Sequence, residues 1–121
     1  MKTSPIFVLA FLVSTLLVAV ISQNPVEAAG EWCVADRQAS KEKLEAALNW
    51  ACAQGSDICL NVQQNQPCYL PNTLEDHASY AFNGYYQKFK SQGAVCDFGG
   101  IAKITNVDPS YGSCKYDTAM A

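Results

Sequence analysis

The chain of 121 residues has one histidine, His77, and six cysteines, Cys33, Cys52, Cys59, Cys68, Cys96 and Cys114. A nucleophilic mechanism built on His77 needs a serine or free thiol within hydrogen-bond reach and a third group to orient the ring. His77 instead follows Asp76 in a stretch that reads as helix, and no Gly-x-Ser-x-Gly elbow is present. It reads as a helix-margin residue with a structural hydrogen bond. The cysteines contain no Cys-x-x-Cys pair, and one histidine does not complete a zinc set at the usual spacing, so no metal and no cofactor is expected. Glu42, Glu45, Glu75, Asp76 and Asp97 could supply the two carboxylates of a glycosidase, but such an enzyme must enclose and distort a sugar ring. A domain of this size has little depth for that cleft. The acids read as solvated helix charges, with Glu42 and Glu75 in first turns where the helix dipole favours them.

Surface recognition is the chemistry that remains. Trp32, Tyr69, Tyr80, Tyr85, Tyr86, Tyr111 and Tyr116 offer rings, and Gln64, Asn65, Asn72, Asn83 and Gln87 offer amide donors and acceptors. Flat C–H faces of neutral sugars rest on rings while their hydroxyls bond to amides and carboxylates. The same residue types anchor protein interfaces, and composition serves both equally. Nucleic acid is not an expected partner, because the net charge is −3 and no basic run exists.

The start of the chain reads as a secretory leader. Lys2 supplies the positive start, Ile6 to Ile21 is apolar apart from Ser14 and Thr15, and small residues follow. Cleavage after Ala28 is preferred, with Ser22 as the alternative, and the apolar run is short for a membrane anchor. The C-terminal end has no hydrophobic tail. The expected product is a secreted, extracellular domain of residues 29–121 without a membrane anchor. It would hold all six cysteines but only 15 Leu, Val, Ile and Phe residues, a core thin enough to need cross-links. In an oxidising compartment an even set of six cysteines favours three disulfides, and spacing alone leaves 15 possible pairings.

Two helices stand out. Ser40 is a good N-cap, and Leu44, Ala47, Leu48, Ala51 and Cys52 form one stripe, which predicts a helix from Ser40 to about Ala53 closed by Gly55 in a left-handed turn. Residues 56–72 read as an irregular segment pinned by Cys59 and Cys68. Thr73-Leu-Glu-Asp76 resembles a capping box and opens a second helix, on which Leu74, Ala78, Ala81, Phe82, Tyr85 and Phe89 share the buried face. At about 100° per residue, Tyr80, Asn83 and Gln87 fall on the opposite, polar side and Tyr86 at the margin. Past Gly93 the pattern suggests short strands joined by turns, among them Ala94–Phe98, Ile101–Ile104 and Ser113–Tyr116. The fold class is α+β: a small disulfide-rich domain of two main helices packed with a short antiparallel sheet.

Several strings carry a family resemblance: Trp32-Cys33-Val34, Ala51-Cys52, Cys68-Tyr69-Leu-Pro-Asn72-Thr73, His77-Ala-Ser-Tyr80-Ala81-Phe-Asn83-Gly-Tyr85-Tyr86-Gln87, Cys96-Asp-Phe98 and Asp108-Pro109-Ser-Tyr-Gly-Ser-Cys114. Together they resemble a family 43 carbohydrate-binding module, the X8 domain, over about Glu31 to Tyr116. That family occurs at the C-terminus of plant endo-1,3-β-glucanases, in callose-binding proteins at plasmodesmata, and as free-standing secreted proteins of the pollen-allergen type; this chain is similar to the free-standing, pollen-allergen or callose-binding type. The resemblance implies pairing of Cys33 with Cys96, Cys52 with Cys59, and Cys68 with Cys114. It also implies a non-catalytic protein that binds β-1,3-glucan of the callose or laminarin type in the plant cell wall, with a separate glucanase or a wall protein as further partner. The expected sugar contacts are Tyr69, Asn72, Tyr80, Asn83, Tyr85, Tyr86 and Gln87, gathered in one patch. The alternative is a structural or signalling interaction module that has lost glucan affinity.

Overall fold

The computed structural model describes residues 30–119, and the expected leader, with both its cleavage points, lies outside the described residues. Strand β1 (Trp32–Ala35) pairs antiparallel with β2 (Ala102–Thr105), Trp32 opposite Thr105 and Ala35 opposite Ala102. Between them lie α1 (Lys41–Cys52) and α2 (Leu74–Phe89), with single 3-10 turns at Leu60–Val62 and Lys90–Gln92. Ser40 caps α1 by accepting from the Lys43 amide, and Thr73 caps α2 by accepting from the Asp76 amide. Both helix starts therefore match their sequence signals, because a capping hydroxyl satisfies a local amide whatever the tertiary context.

Two sequence expectations fail. Gly55 does not close α1 in a left-handed turn; Ala53 ends the helix in right-handed conformation, and Gly55 makes room for Ile58 and Lys88, which a Cβ would meet at 3.2 and 3.3 Å. The left-handed closure comes instead at Gly93, φ 100°, after the turn that follows α2. Of the short strands expected after Gly93, only Ala102–Thr105 forms one. Its partner is the entry segment at Trp32, which lacks an alternating pattern long enough to read as a strand. Cys96, Phe98 and Cys114 lie outside regular structure, apart from an isolated bridge between Tyr111 and Cys114.

The three disulfides are Cys33–Cys96, Cys52–Cys59 and Cys68–Cys114, as the resemblance implies. They close loops of 63, 7 and 46 residues' separation. On the chain-entropy view the two long ones each contribute about 4 kcal/mol and the short one about 2.5 kcal/mol. The core they clamp is centred on α2, where Ala78, Ala81 and Phe82 are buried against Leu44 and Ala51 of α1. Phe98, at φ 52°, stacks its ring on Phe82 with centroids 4.1 Å apart.

The second buried face of α2 is polar. In an antiparallel pair alternate residues turn their amides away from the partner strand. On β1 those are Cys33 and Ala35, and both are satisfied by α2. The Ala35 amide donates to Ser79 Oγ at 3.0 Å, and the Cys33 amide donates to Asn83 Oδ1 at 3.1 Å. Gln87 Nε2 donates to the Glu31 carbonyl at 2.7 Å and to Asn83 Oδ1 at 3.0 Å, and Asn83 Nδ2 donates to the Asp117 carbonyl at 2.8 Å. Four helix residues advance about 6.0 Å and two strand residues about 6.8 Å, so side chains at i, i+4 and i+8 keep step with every second residue of the strand.

Asn83 is fully buried, and its truncation strands a backbone amide and a backbone carbonyl. Asn83→Ala is expected to cost about 3 kcal/mol or more, since each buried group left unpaired costs about 1–3 kcal/mol. Ser79→Ala, which orphans one amide, should cost less. Thermal melting of both variants checks this: a drop for Asn83→Ala no larger than that for Ser79→Ala would show that the helix is not acting as the strand's second neighbour.

Candidate carbohydrate-binding surface

The seven residues expected to form one sugar-binding patch occupy three settings. Tyr69 and Asn72 stand at the turn that leads into α2. Tyr69 is half-buried with its ring tilted against His77, centroids 5.6 Å apart, and its carbonyl accepts from His77 Nε2 at 2.7 Å. His77 thus makes the structural bond its position suggests. Asn72 is exposed.

Tyr80, Asn83 and Gln87 lie inside the domain, at 3, 0 and 7% exposure, which corrects the expectation of a solvent-facing polar side. The assumption that polar means outward fails because each of these side chains bonds to protein atoms, Gln87 through Nε2 alone. Tyr80 takes its hydrogen bond from Asn61 Nδ2 at 2.8 Å, so the irregular 56–72 segment folds over this face. Its ring meets Tyr116 edge-on at 5.2 Å. Burial pushes the Tyr80 phenol above its ordinary 10, opposed by the Asn61 bond, and burial raises Tyr116 more strongly.

Tyr85 and Tyr86 sit on the C-terminal half of α2. Tyr86 lies twelve positions beyond Leu74, about 18 Å along the helix, so the pair share no patch with Asn72. Tyr85 is half-buried between Trp50, Phe89 and Phe98, at centroid distances of 4.9, 5.3 and 5.6 Å. Tyr86 donates to Glu31 Oε1 at 3.3 Å, and Lys90 Nζ lies 5.2 Å from its ring centroid.

Two exposed rings were not among the expected contacts. Trp50, 48% exposed, projects from α1 off the buried stripe, and the phase argument applied to Tyr80 would have found it. Tyr111, 37% exposed, is held at the turn before Cys114. It exchanges two backbone bonds with Cys114, at 3.0 and 2.8 Å, and its hydroxyl donates to the Leu70 carbonyl at 2.8 Å. The Cys68–Cys114 disulfide crosses the same junction. Tyr111 lines two open grooves, one of about 760 Å³ shared with Arg37, Asp76 and Tyr116, the other of about 530 Å³ shared with Asn65 and Gln66. Partial burial raises its phenol, with Asp76 adding in the same direction. Among the described residues no cluster of three His, Cys, Asp or Glu could hold a metal ion, and no helix is long and apolar enough to cross a membrane.

Two helices and a two-stranded ribbon, clamped by three disulfides and presenting rings and amides around open grooves, define a small recognition module. The chain belongs to the X8 domain family, whose sequence profile matches residues 31–103. It is 53% identical over 89 residues, 74% of its length, to glucan endo-1,3-beta-glucosidase 4 of Arabidopsis thaliana, and spans 18% of that protein. It is 40% identical over 88 residues, 73% of its length, to plasmodesmata callose-binding protein 5 of the same plant, and spans 49% of that protein. The chain thus covers half or less of the length of these relatives.

The buried position of Tyr80 makes a direct forecast. Tyr80→Ala is expected to lose about 3–5 kcal/mol of stability, and Tyr80→Phe about 1 kcal/mol for the missing bond to Asn61. A Tyr80→Ala melting temperature equal to that of the parent would contradict the burial. The raised phenols of Tyr80 and Tyr116 set a pH window. Folded values above the unfolded value mean that the stability they contribute is complete below about pH 10 and is lost as pH rises through the folded values. Melting temperature should therefore fall above about pH 10, and less steeply in Tyr116→Phe; equal slopes in the two proteins would refute the assignment.

Proposed function

We propose that this chain is a secreted, non-catalytic module that binds β-1,3-glucan in the plant cell wall, its leader removed after Ala28. The observation that carries the reading is the shared module itself. The same sequence unit occurs in a protein named for callose binding and in proteins named for cleaving 1,3-β-glucan, and the glucan is the chemistry those names have in common. The exposed rings and neutral amides suit a polyhydroxylated, uncharged ligand.

The absence of nucleophilic catalysis is supported by the commitment of His77, Asp76 and the cysteines. His77 is bonded to a backbone carbonyl, Asp76 pairs with Arg37, and all six cysteines are in disulfides. Of the seven expected contacts, we keep Tyr69 and Asn72, at the turn before α2, as the ones that can reach a sugar, at the border of the site and outside the grooves beside Tyr111. Tyr80, Asn83 and Gln87 act by positioning backbone and rings around them, Tyr85 packs against Trp50, and Tyr86 is engaged by Glu31 and Lys90. A separate glucanase or wall protein can share the polymer without touching this domain.

Native electrophoresis in gels containing laminarin tests the reading. The folded chain should migrate more slowly as laminarin is added, and incubation with laminarin should release no new reducing ends. Unchanged mobility of a folded sample would refute glucan binding, and a steady rise in reducing ends would refute the non-catalytic assignment.

A further inference from the structure

The two grooves flanking Tyr111 differ in chemistry from two further concavities of the domain. The larger holds Arg37 and Lys103 against Asp36 and Asp76, so its charges cancel, and Arg37 is already paired with Asp76. The smaller has no charged lining at all; Asn65, Gln66 and Ser113 supply its polar groups. A hollow at the far end of α2 is also charge-balanced, by Asp57, Lys88, Lys90 and Asp117, but has no aromatic ring. A shallow one beside Tyr85 and Phe89 is smaller, at about 260 Å³, and its rings are packed on one another.

We propose that Tyr111 is the central ridge of the polysaccharide site, with one linear glucan chain crossing it and occupying both grooves. This rests on the glucan-binding reading and assigns that reading a place. A neutral chain of sugar rings meets no uncompensated charge on this path, finds hydrogen-bonding side chains in both grooves, and crosses an aromatic side chain where they meet. The ridge is preorganised: its backbone is bridged to Cys114, its hydroxyl to Leu70, and the Cys68–Cys114 disulfide ties the two turns together, so little freedom is left to lose on binding. Tyr116 lines the larger groove, and Tyr80 supports Tyr116 from within. The ridge lies beyond residues 31–103, the part that matches the family profile.

Affinity for laminarin, measured on the full folded chain alongside melting temperature, tests the assignment. Tyr111→Ala is expected to weaken binding about three- to tenfold, the loss of one stacked ring, while Tyr111→Phe, which keeps the ring, stays near the parent. Val107, 75% exposed in the larger groove, offers a substitution that leaves the core untouched, and Val107→Arg should weaken binding by filling the groove. Trp50→Ala, on a ring that lines neither groove, should bind as the parent does. Parent-like binding by both Tyr111→Ala and Val107→Arg, or loss of binding in Trp50→Ala with an intact fold, would overturn this site while leaving glucan binding itself in place. Failure of the unsubstituted chain to bind laminarin would overturn both. Should Tyr111→Ala melt early, the result for Val107→Arg decides.

Discussion

The free edge of β1 is the constraint from which the rest of this small domain follows. A two-stranded ribbon leaves each strand with a row of amides and carbonyls facing nothing, and a buried amide without a partner costs as much as a lost hydrogen bond or more. Here the row is answered by Ser79, Asn83 and Gln87, so α2 stands where a third strand would otherwise lie. The match is geometric as well as chemical, because helix and strand advance at nearly the same rate over these intervals. It explains why a domain with so few aliphatic side chains keeps a defined core: its central helix is held by directional bonds on one face and by apolar packing on the other.

With two faces of α2 committed, the third is closed by what the disulfides bring to it. Ile58 approaches Gly84 so closely that a Cβ there would lie 3.2 Å from its methyl, Asn61 reaches Tyr80, and the carbonyl of Asp117 reaches Asn83. The helix has become the axis of the molecule rather than a surface element. Exposed aromatic surface is consequently displaced from the helix onto the segments wrapped around it. The exposed rings Trp50 and Tyr111, and the turn bearing Tyr69 and Asn72, are all carried by those surrounding pieces.

The charge arrangement follows the same division. Ion pairs such as Lys41–Glu75 at 3.6 Å and Lys88–Asp57 at 3.2 Å lie at the surface, where such contacts contribute about 0–1 kcal/mol. The grooves around Tyr111 share this balance, with opposite charges matched in the larger and no charged lining in the smaller.

Sequence alone determined what depends on neighbours along the chain: the caps at Ser40 and Thr73, the spans of both helices, the stripe through Leu44 and Ala51, the pinned irregular segment and the even set of cysteines. Those signals are local because a capping hydroxyl or an i, i+4 repeat acts within one or two turns. The disulfide pairing came through family resemblance and not through spacing. Which polar residues are buried was decided only by the tertiary structure. Asn83 and Gln87 look outward on a helical wheel, and nothing near them in the chain reveals that residues 31–35, some fifty positions away, need their amides. Tyr80 is likewise buried by Asn61 and Tyr116, and Tyr111 becomes a ridge between grooves because a disulfide joins turns 46 residues apart. Periodicity records the demand of each element for a buried face, whereas burial of a polar side chain depends on a partner, and partners are chosen in three dimensions.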